Sequence, residues 1–387
     1  ANENSRVFYL SHKITINKAM KSKVYFTDMH TTLNEGLPKK LEKLMKKAGF
    51  EKIDFRNKFA AVKLHFGEPG NLAFLRPNYA KVVCDYIKRL GGKPFVTDCN
   101  TLYVGGRKNA LDHLDSAYAN GYNPFATGVH TIIADGIKGT DERAITVQGG
   151  EYVKKAKIGA AIMDADIVIS LNHFKGHELT GFGGALKNLG MGSGSRAGKM
   201  EMHSAGKPQV DSKLCIGCGQ CRKICAHDAP VIANKKAHID HGKCVGCGRC
   251  IGVCPQDAIM PAFDEANDVL NCKIAEYTKA VIQDRPNFHI SLAIDISPFC
   301  DCHAENDIPI VPDVGMFASF DPVAIDRACA DMVNMQPATK NSILEKHGHS
   351  HCDHFADVSP ETNWISALKH AEKLHIGTMD YELVVMK

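Results

Sequence analysis

Short apolar runs alternate with amphipathic stretches along most of the chain. Runs at 23–27, 60–65, 94–97, 130–134 and 166–171 are rich in Val, Ile, Leu, Phe and Ala and read as buried strands. Stretches at 37–48, 78–90, 107–119 and 152–163 carry apolar residues at helical spacing. The second of these follows Pro77 and closes on Gly91-Gly92, a start and a stop signal. Past residue 262 the pattern resumes, with a helix over 264–283 and a strand over 289–294. Asp321 is placed to cap a helix that has Pro322 at its first position and runs to about 335. A last helix over 361–375 ends before Gly377 and leads to a strand over 381–385. Strand and helix in alternation predict an α/β fold, a mainly parallel sheet with flanking helices.

The alternation breaks at 209–262, where eight of the fifteen cysteines lie. They form two copies of one pattern, Cys215-x2-Cys218-x2-Cys221-x3-Cys225 and Cys244-x2-Cys247-x2-Cys250-x3-Cys254. In this bacterial ferredoxin spacing each run gives three thiolates to one [4Fe–4S] cube and its fourth to the other. One cluster would be held by Cys215, Cys218, Cys221 and Cys254, the second by Cys244, Cys247, Cys250 and Cys225. Gly217, Gly219, Gly246 and Gly248 fall where the loops need positive φ to wrap a cluster. Structural zinc sites prefer separated pairs, and disulfide frameworks belong to short secreted chains, so both fit poorly. Pro255 follows Cys254 as in typical ferredoxins, whereas Ala226 follows Cys225, which bears on the environment of one cluster. The economical architecture is an α/β domain in two parts, 1–208 and 263–387, interrupted by a small α+β dicluster ferredoxin-like insert at 209–262. The ends of a small domain often lie close together, and the last part has too few strands to close its own sheet.

Composition adds bounds. With 387 residues, 44% hydrophobic and 23% charged, the chain has the make-up of a globular protein. It has no apolar run long enough to span a membrane, and 1–23 has no apolar core suited to a secretory signal. Free thiols and oxygen-labile clusters point to a cytoplasmic location. A net charge of +4 gives little reason to expect nucleic acid. Within 209–262, seven Lys or Arg against four Asp or Glu leave an excess suited to steering an acidic electron donor or acceptor protein.

Several predicted strands end in polar residues: His65 and Glu68, Asp98 and Asn100, Asp135, and Asn172 to Glu178. In open α/β sheets ligands gather outside the carboxyl ends of the strands. The densest stretch, 172–199, sets Lys175, His177 and Lys187 among eight glycines, with a helix start expected near Gly183-Gly184. Exposed N–H groups there, aided by lysine, would make an anion site for a small substrate, with Asp98, Asn172, Gly183, Gly184 and Asn188 as binding residues. A mobile glycine-rich linker is the plainer alternative. Neither Walker A nor GxGxxG is present, and flavin has no compact linear motif to find. Lys175 with His177, Lys187, and His65 with Glu68 are the candidate acid–base groups. Cys300-Asp301-Cys302-His303 and the tract His347, His349, His351, Cys352 and His354 have metal-binding composition, though both also read as ordinary loops. Cys84, Cys272, Cys329 and Trp364 read as packing residues.

The segment from Ser170 to Gly190, with Lys175, His177, Glu178, Lys187 and Asn188, resembles the signature of DUF362, a family defined as a domain of unknown function. LHFGEPGN from Leu64, DCNTLYVGGR from Asp98 and ASFDPVAIDRA from Ala318 are similar to it too. The resemblance implies an iron–sulfur protein with a redox role and supplies no substrate. The expected function is an iron–sulfur oxidoreductase passing electrons to a small anionic substrate or second cofactor. A non-enzymatic electron carrier that docks a partner, and a redox or metal sensor, are the alternatives.

Overall fold

A computed structural model describes residues 21–102, 105–203, 206–348 and 352–386. His349 and His351, and nearly all of the N-terminal stretch discussed above, lie outside them. Eight strands form one sheet: β1 (Ser22–Thr27), β2 (Phe59–Lys63), β3 (Lys93–Asp98), β4 (Thr131–Ile133), β5 (Ile167–His173), β6 (Asn287–Ala293), β7 (Gly315–Ser319) and β8 (Tyr381–Val385). Their spatial order is β8-β1-β7-β6-β5-β2-β3-β4. Only β7 runs antiparallel to its neighbours β1 and β6; the other pairings are parallel. The protein is therefore a mixed α/β fold with a large, mostly parallel sheet.

Helices cover both faces, so the central strands read as continuous apolar runs. All seven residues of β5 are buried. Its Ile167, Ile169 and Leu171 pack with helices α1 (Leu37–Lys47) and α2 (Pro77–Arg89) on one face. Val168 faces the other side, toward α4 (Ala185–Ser193), α5 (Arg196–His203) and α6 (Asn267–Ile282), while α3 (Ala110–Ala119) packs with the first face through Ala110 and Ala117. Helices α7 (Pro322–Asn334) and α8 (Trp364–Lys373) close that second face around Phe317, Ala324 and Leu368. Asp321 caps α7 through Val323 and Ala324, as its position before Pro322 predicts.

Three expectations differ. The helix expected over 152–163 is mostly a strand, Lys155–Gly159, paired with Glu142–Thr146 and followed by one helical turn, Ala160–Met163. Burial of Ala156 and Ile158 against Val147 and Val153 follows a two-residue period there. Helix α3 starts at Ala110, not 107, because Asn109 accepts from the N–H groups of Leu111 and Asp112. Strand β7 went unforeseen, being short and buried throughout, with no alternation to mark it.

The cysteine segment leaves after α5 and returns through α6. Its ends pair antiparallel, Pro208–Val210 with Ile259–Pro261, and a hairpin joins Pro230–Ala233 to Lys236–Ile239.

The glycine-rich stretch 172–199 is a buried, packed structure. It contains the end of β5, a hairpin of Lys175–His177 with Gly181–Gly183, and helices α4 and α5. The N-terminus of α4 offers no anion site, because Asp326 of α7 occupies it. Its Oδ1 accepts from Ala185 N–H at 2.6 Å and its Oδ2 from Leu186 N–H at 2.9 Å. A Cβ on Gly184 would lie 2.3 Å from Asp326 Oδ1, so this contact requires glycine. Burial pushes the Asp326 carboxyl up to about 7. A folded pKa above the unfolded value of about 4 means that folding retains a proton, so this group's contribution to stability falls as pH rises from about 4 to about 7. Urea unfolding of wild type and Asp326→Asn across that range should show wild type losing stability relative to the variant. Parallel curves would place the charge elsewhere.

Candidate functional site

Between β5 and β2 the strand order reverses: the chain runs outward through β2, β3 and β4, then returns to β5 on the other side of β2. A crevice at the carboxyl ends of the strands is expected at such a point. A cavity of about 60 Å³ lies there, with Lys63, His65, Asp98, His173 and Lys175 in its wall from the ends of β2, β3 and β5. Helix α4 adds Lys187 and Asn188, α5 adds Lys199, and the loop after β6 adds Cys300 and Cys302. Arg107 completes the wall. Gly183 and Gly184 also line it.

Most of these cations have an anionic partner. Lys63 Nζ lies 3.0 Å from Asp98 Oδ1 and donates to Asn188 Oδ1 at 2.8 Å. Arg107 Nε donates to Glu68 Oε2 at 2.6 Å, and Lys175 Nζ lies 3.3 Å from Asp301 Oδ2. Asp301 also meets His173 Nδ1 at 2.9 Å, while the other His173 nitrogen lies 2.8 Å from the Ile294 carbonyl. Burial alone would raise the Asp98 and Asp301 carboxyls. Lys63 and His65 around the first, and His173 and Lys175 around the second, outweigh it and hold both below the usual carboxylate range. Among the described residues Lys187 and Lys199 have no carboxylate at ion-pair distance. Lys199 Nζ donates to the Gly194 carbonyl at 2.6 Å, and Lys187 Nζ meets Cys300 Sγ at 3.4 Å.

The sulfur is an anionic partner too. A hydrogen bond from the Cys302 thiol, reinforced by Lys187 and His177 against the cost of burial, holds the Cys300 thiol well below its ordinary pKa. Donating that bond, together with burial, pushes Cys302 well above its own. Burial opposes the charge on Lys187, and the two sulfurs and Glu178 outweigh it, raising that pKa.

The family DUF362, a domain of unknown function, matches residues 60–331, which run from β2 into α7. The chain belongs to the DUF362 family. No curated protein matches it. Among solved structures, the lactate racemase apoprotein from Thermoanaerobacterium thermosaccharolyticum aligns at 11% identity and a TM-score of 0.35, over 70% of this chain and 50% of that one. A protein from Thermotoga maritima aligns at 12% identity and a TM-score of 0.39, over 76% of this chain and 57% of that one. The chain spans about half the length of either, and alignments at this level bear on neither chemistry nor substrate.

The matched DUF362 region includes both cysteine runs. One cavity of about 20 Å³ is lined by Cys215, Cys218, Cys221 and Cys254, with Ile216, Ile232 and Ile259. Another of about 20 Å³ is lined by Cys225, Cys244, Cys247 and Cys250. Gly217, Gly219, Gly246 and Gly248 have φ between 66° and 76°, as the wrapping of the loops requires. Backbone N–H groups point at sulfur from Ala237 to Cys215 at 3.2 Å and from Ala258 to Cys254 at 3.3 Å. Burial and the neighbouring sulfurs push Cys250 up to about 12, so its sulfur would become a thiolate only beside a cationic group. Eight cysteines in two sets of four suit metal or iron–sulfur binding.

Helix α5 separates the cysteine segment from the larger cavity. Lys199 lines that cavity, while its neighbour Met200 packs with Leu102, Cys221 and Ile251. Arg196 of α5 fills the space over Gly248 and Gly252 and donates to the Thr101 carbonyl at 3.3 Å. Thr101 is itself in the cavity wall.

Among the residues singled out from sequence, His65, Asp98, Lys175, Gly183, Gly184, Lys187 and Asn188 meet at the cavity. Asn172 lies behind it: its side chain donates to Ser291 Oγ at 3.1 Å and accepts from Asn188 at 2.8 Å. His177 sits behind Cys300 and is not paired with Lys175. His65 and Glu68 do not pair either, since Glu68 binds Arg107. Gly67 N–H donates to His65 Nδ1 at 3.0 Å, and Arg107 Nη1 lies 2.8 Å from Nε2. Burial and Arg107 push His65 down to about 3, which closes proton donation by an imidazolium there. Asp135 is buried and accepts from Asn100 N–H at 2.9 Å, outside the cavity. His347 and His354 meet separate carbonyls, of Asp357 at 3.0 Å and Gln336 at 2.8 Å. Cys84 and Cys329 are buried and Trp364 packs on Phe182, whereas Cys272 is only half-buried.

Sequence reading gave no site role to Lys63, Arg107, His173 or Lys199, and took Asp301 only as part of the Cys300–His303 motif, not as the partner of Lys175. The available signal was a lysine inside the apolar run of β2, where a charge must find a buried partner. Lys63 and Asp98 have side chains 1% and 3% exposed. Lys63→Met should therefore destabilise the protein by roughly 3–5 kcal/mol by stranding Asp98, and Lys63→Met/Asp98→Leu should recover much of the loss in thermal unfolding.

Proposed function

We propose that this DUF362 chain is an iron–sulfur oxidoreductase that carries electrons through two [4Fe–4S] clusters to a small anion in the lysine-lined cavity. The carrying observation is that each small cavity is lined by the four cysteines which ferredoxin spacing assigns to one cube. Bound there, the clusters would supply electrons one at a time.

The chain's own residues provide the rest. Lys187 and Lys199, lacking carboxylate partners among the described residues, attract and hold the anion, while the pairs Lys63–Asp98 and Lys175–Asp301 fix the wall around it. Lys187 can deliver a proton to a substrate atom as negative charge develops on it. Entry of electrons at the first cysteine cavity is supported by the exposure of Cys218 and of Leu214 and Ile216 beside it. Lys213, Arg222 and Lys223 are exposed and lie next to these residues in sequence, which suits an acidic donor protein. The second cavity includes Gly248 and Cys250, against which Arg196 and Met200 of α5 pack, so exit toward the anion crosses one helix.

Protein purified without oxygen should contain about eight iron and eight sulfide per chain, and Cys218→Ser should lose the electron paramagnetic resonance signal of one cluster only. Stoichiometric zinc without sulfide would contradict the proposal. Lys187→Gln should keep both clusters and weaken binding of small anions.

A further inference from the structure

The sulfurs in the cavity form a distinct device. Cys300 Sγ accepts from Lys187 Nζ at 3.4 Å and from the backbone N–H of Cys302 at 3.4 Å. The ring of His177 and the Cys302 thiol lie close by, with ligand-capable atoms of the three within 4.8 Å of one another. Such a trio has the composition of a cation site, as does a second one that shares Cys302 with Glu178 and His303, where the carboxylate already meets the His303 ring at 2.8 Å; the surroundings of the first trio argue otherwise. His177 Nδ1 accepts from the N–H groups of Leu179 and Thr180 at 3.1 and 3.2 Å. With Nδ1 accepting, the neutral tautomer carries its proton on Nε2, which lies 3.7 Å from Glu178 Oε1. A metal-ligating histidine is held the opposite way, donating from its far nitrogen to an acceptor. Lys187 and Lys199 in the same wall, with no carboxylate at ion-pair distance among the described residues, repel a divalent cation further. The arrangement suits a thiolate at Cys300 and a neutral thiol at Cys302.

We propose that Cys300 and Cys302 are a nucleophile and its resolving thiol, which together reduce a sulfur–sulfur bond in a small anion. The proposal rests on the cavity being the receiving end of the cysteine segment. Sulfur is the indicated electrophile because of the second thiol. Attack on carbon would leave a thioether that Cys302 could not displace, whereas attack on sulfur leaves a mixed disulfide that it can. The cationic wall selects an anion, and the cavity of about 60 Å³ selects a small one.

The atoms and electrons balance. The Cys300 thiolate attacks one sulfur of R–S–S–R′, breaking that bond and expelling R′–S⁻, to which Lys187 is placed to give a proton. Cys302 then loses its proton to the second departing sulfur and displaces R–S⁻, forming the Cys300–Cys302 disulfide. Two electrons from a one-electron donor, arriving singly through the cysteine segment, and one proton restore thiolate and thiol. A further proton restores Lys187. The net change is R–S–S–R′ with two electrons and two protons giving two thiols.

Tetrathionate, a small dianion with a central sulfur–sulfur bond, is a suitable probe for anaerobically purified full-length protein. Wild type should release two thiosulfates per tetrathionate and yield a Cys300–Cys302 disulfide in peptide mass spectra. Cys302→Ser should release one and hold the adduct on Cys300. Cys300→Ser should leave Cys302 unmodified. On wild type alone, iodoacetate should alkylate Cys300 about ten-fold faster than Cys302 at neutral pH. Adduct formation on Cys302 in Cys300→Ser at the wild-type rate would overturn the proposal, as would stoichiometric zinc lost on that substitution or equal alkylation of the two thiols. Iron and sulfide assayed on the same samples report separately on the cluster reading.

Discussion

Holding five cations around one small cavity is the constraint on which the rest of the structure depends. Lys63, Arg107, Lys175, Lys187 and Lys199 share that wall, and an unpaired buried charge would cost several kcal/mol, about 3–5 when a partner is removed. The fold meets this by drawing an anion to most of them from a different part of the chain. Asp98 comes from β3, Glu68 from the loop after β2, and Asp301 and Cys300 from the loop after β6. Three strand ends and two helices are thereby tied together at one point. Carboxylates thus answer Lys63, Arg107 and Lys175, and the Cys300 sulfur meets Lys187, while among the described residues Lys199 has no carboxylate at ion-pair distance and is left for an anion to meet.

The same pairing explains what sequence could and could not reveal. Both cysteine sets were legible because ferredoxin spacing alone dictates which four sulfurs share a cavity. The parallel core was legible because strands buried on both faces read as apolar runs, and β8 matches its expected bounds of 381–385. The glycine-rich stretch was harder. Its glycines admit close neighbours, and a Cβ on Gly192 would lie 2.5 Å from Lys63 Nζ. A linear reading registers such glycines as looseness or as an anion cradle, and Asp326, which fills the end of α4, lies far along the chain. The roles of Asp301 and Arg107 were not legible because they come only from partners in other segments.

Helix α5 links the two chemistries. It places Lys199 in the cavity wall while Arg196 and Met200 pack against the cysteine segment. If the proposed clusters are bound, donor and acceptor on opposite sides of one helix would need no motion to communicate, and the buried Arg196 contacts make this junction part of the core. On the proposed reading, a cation-rich cavity with two adjacent thiols beside an electron source would serve two-electron reduction fed in single steps.

Electron delivery from the cysteine segment to the cavity can be followed directly. Reduced holoprotein mixed with tetrathionate under argon should show its cluster absorbance return to the oxidised form in wild type and remain reduced in Cys300→Ser. Equal reoxidation in the two proteins would mean that the clusters react with solvent and not through the cavity, and would contradict the proposed path.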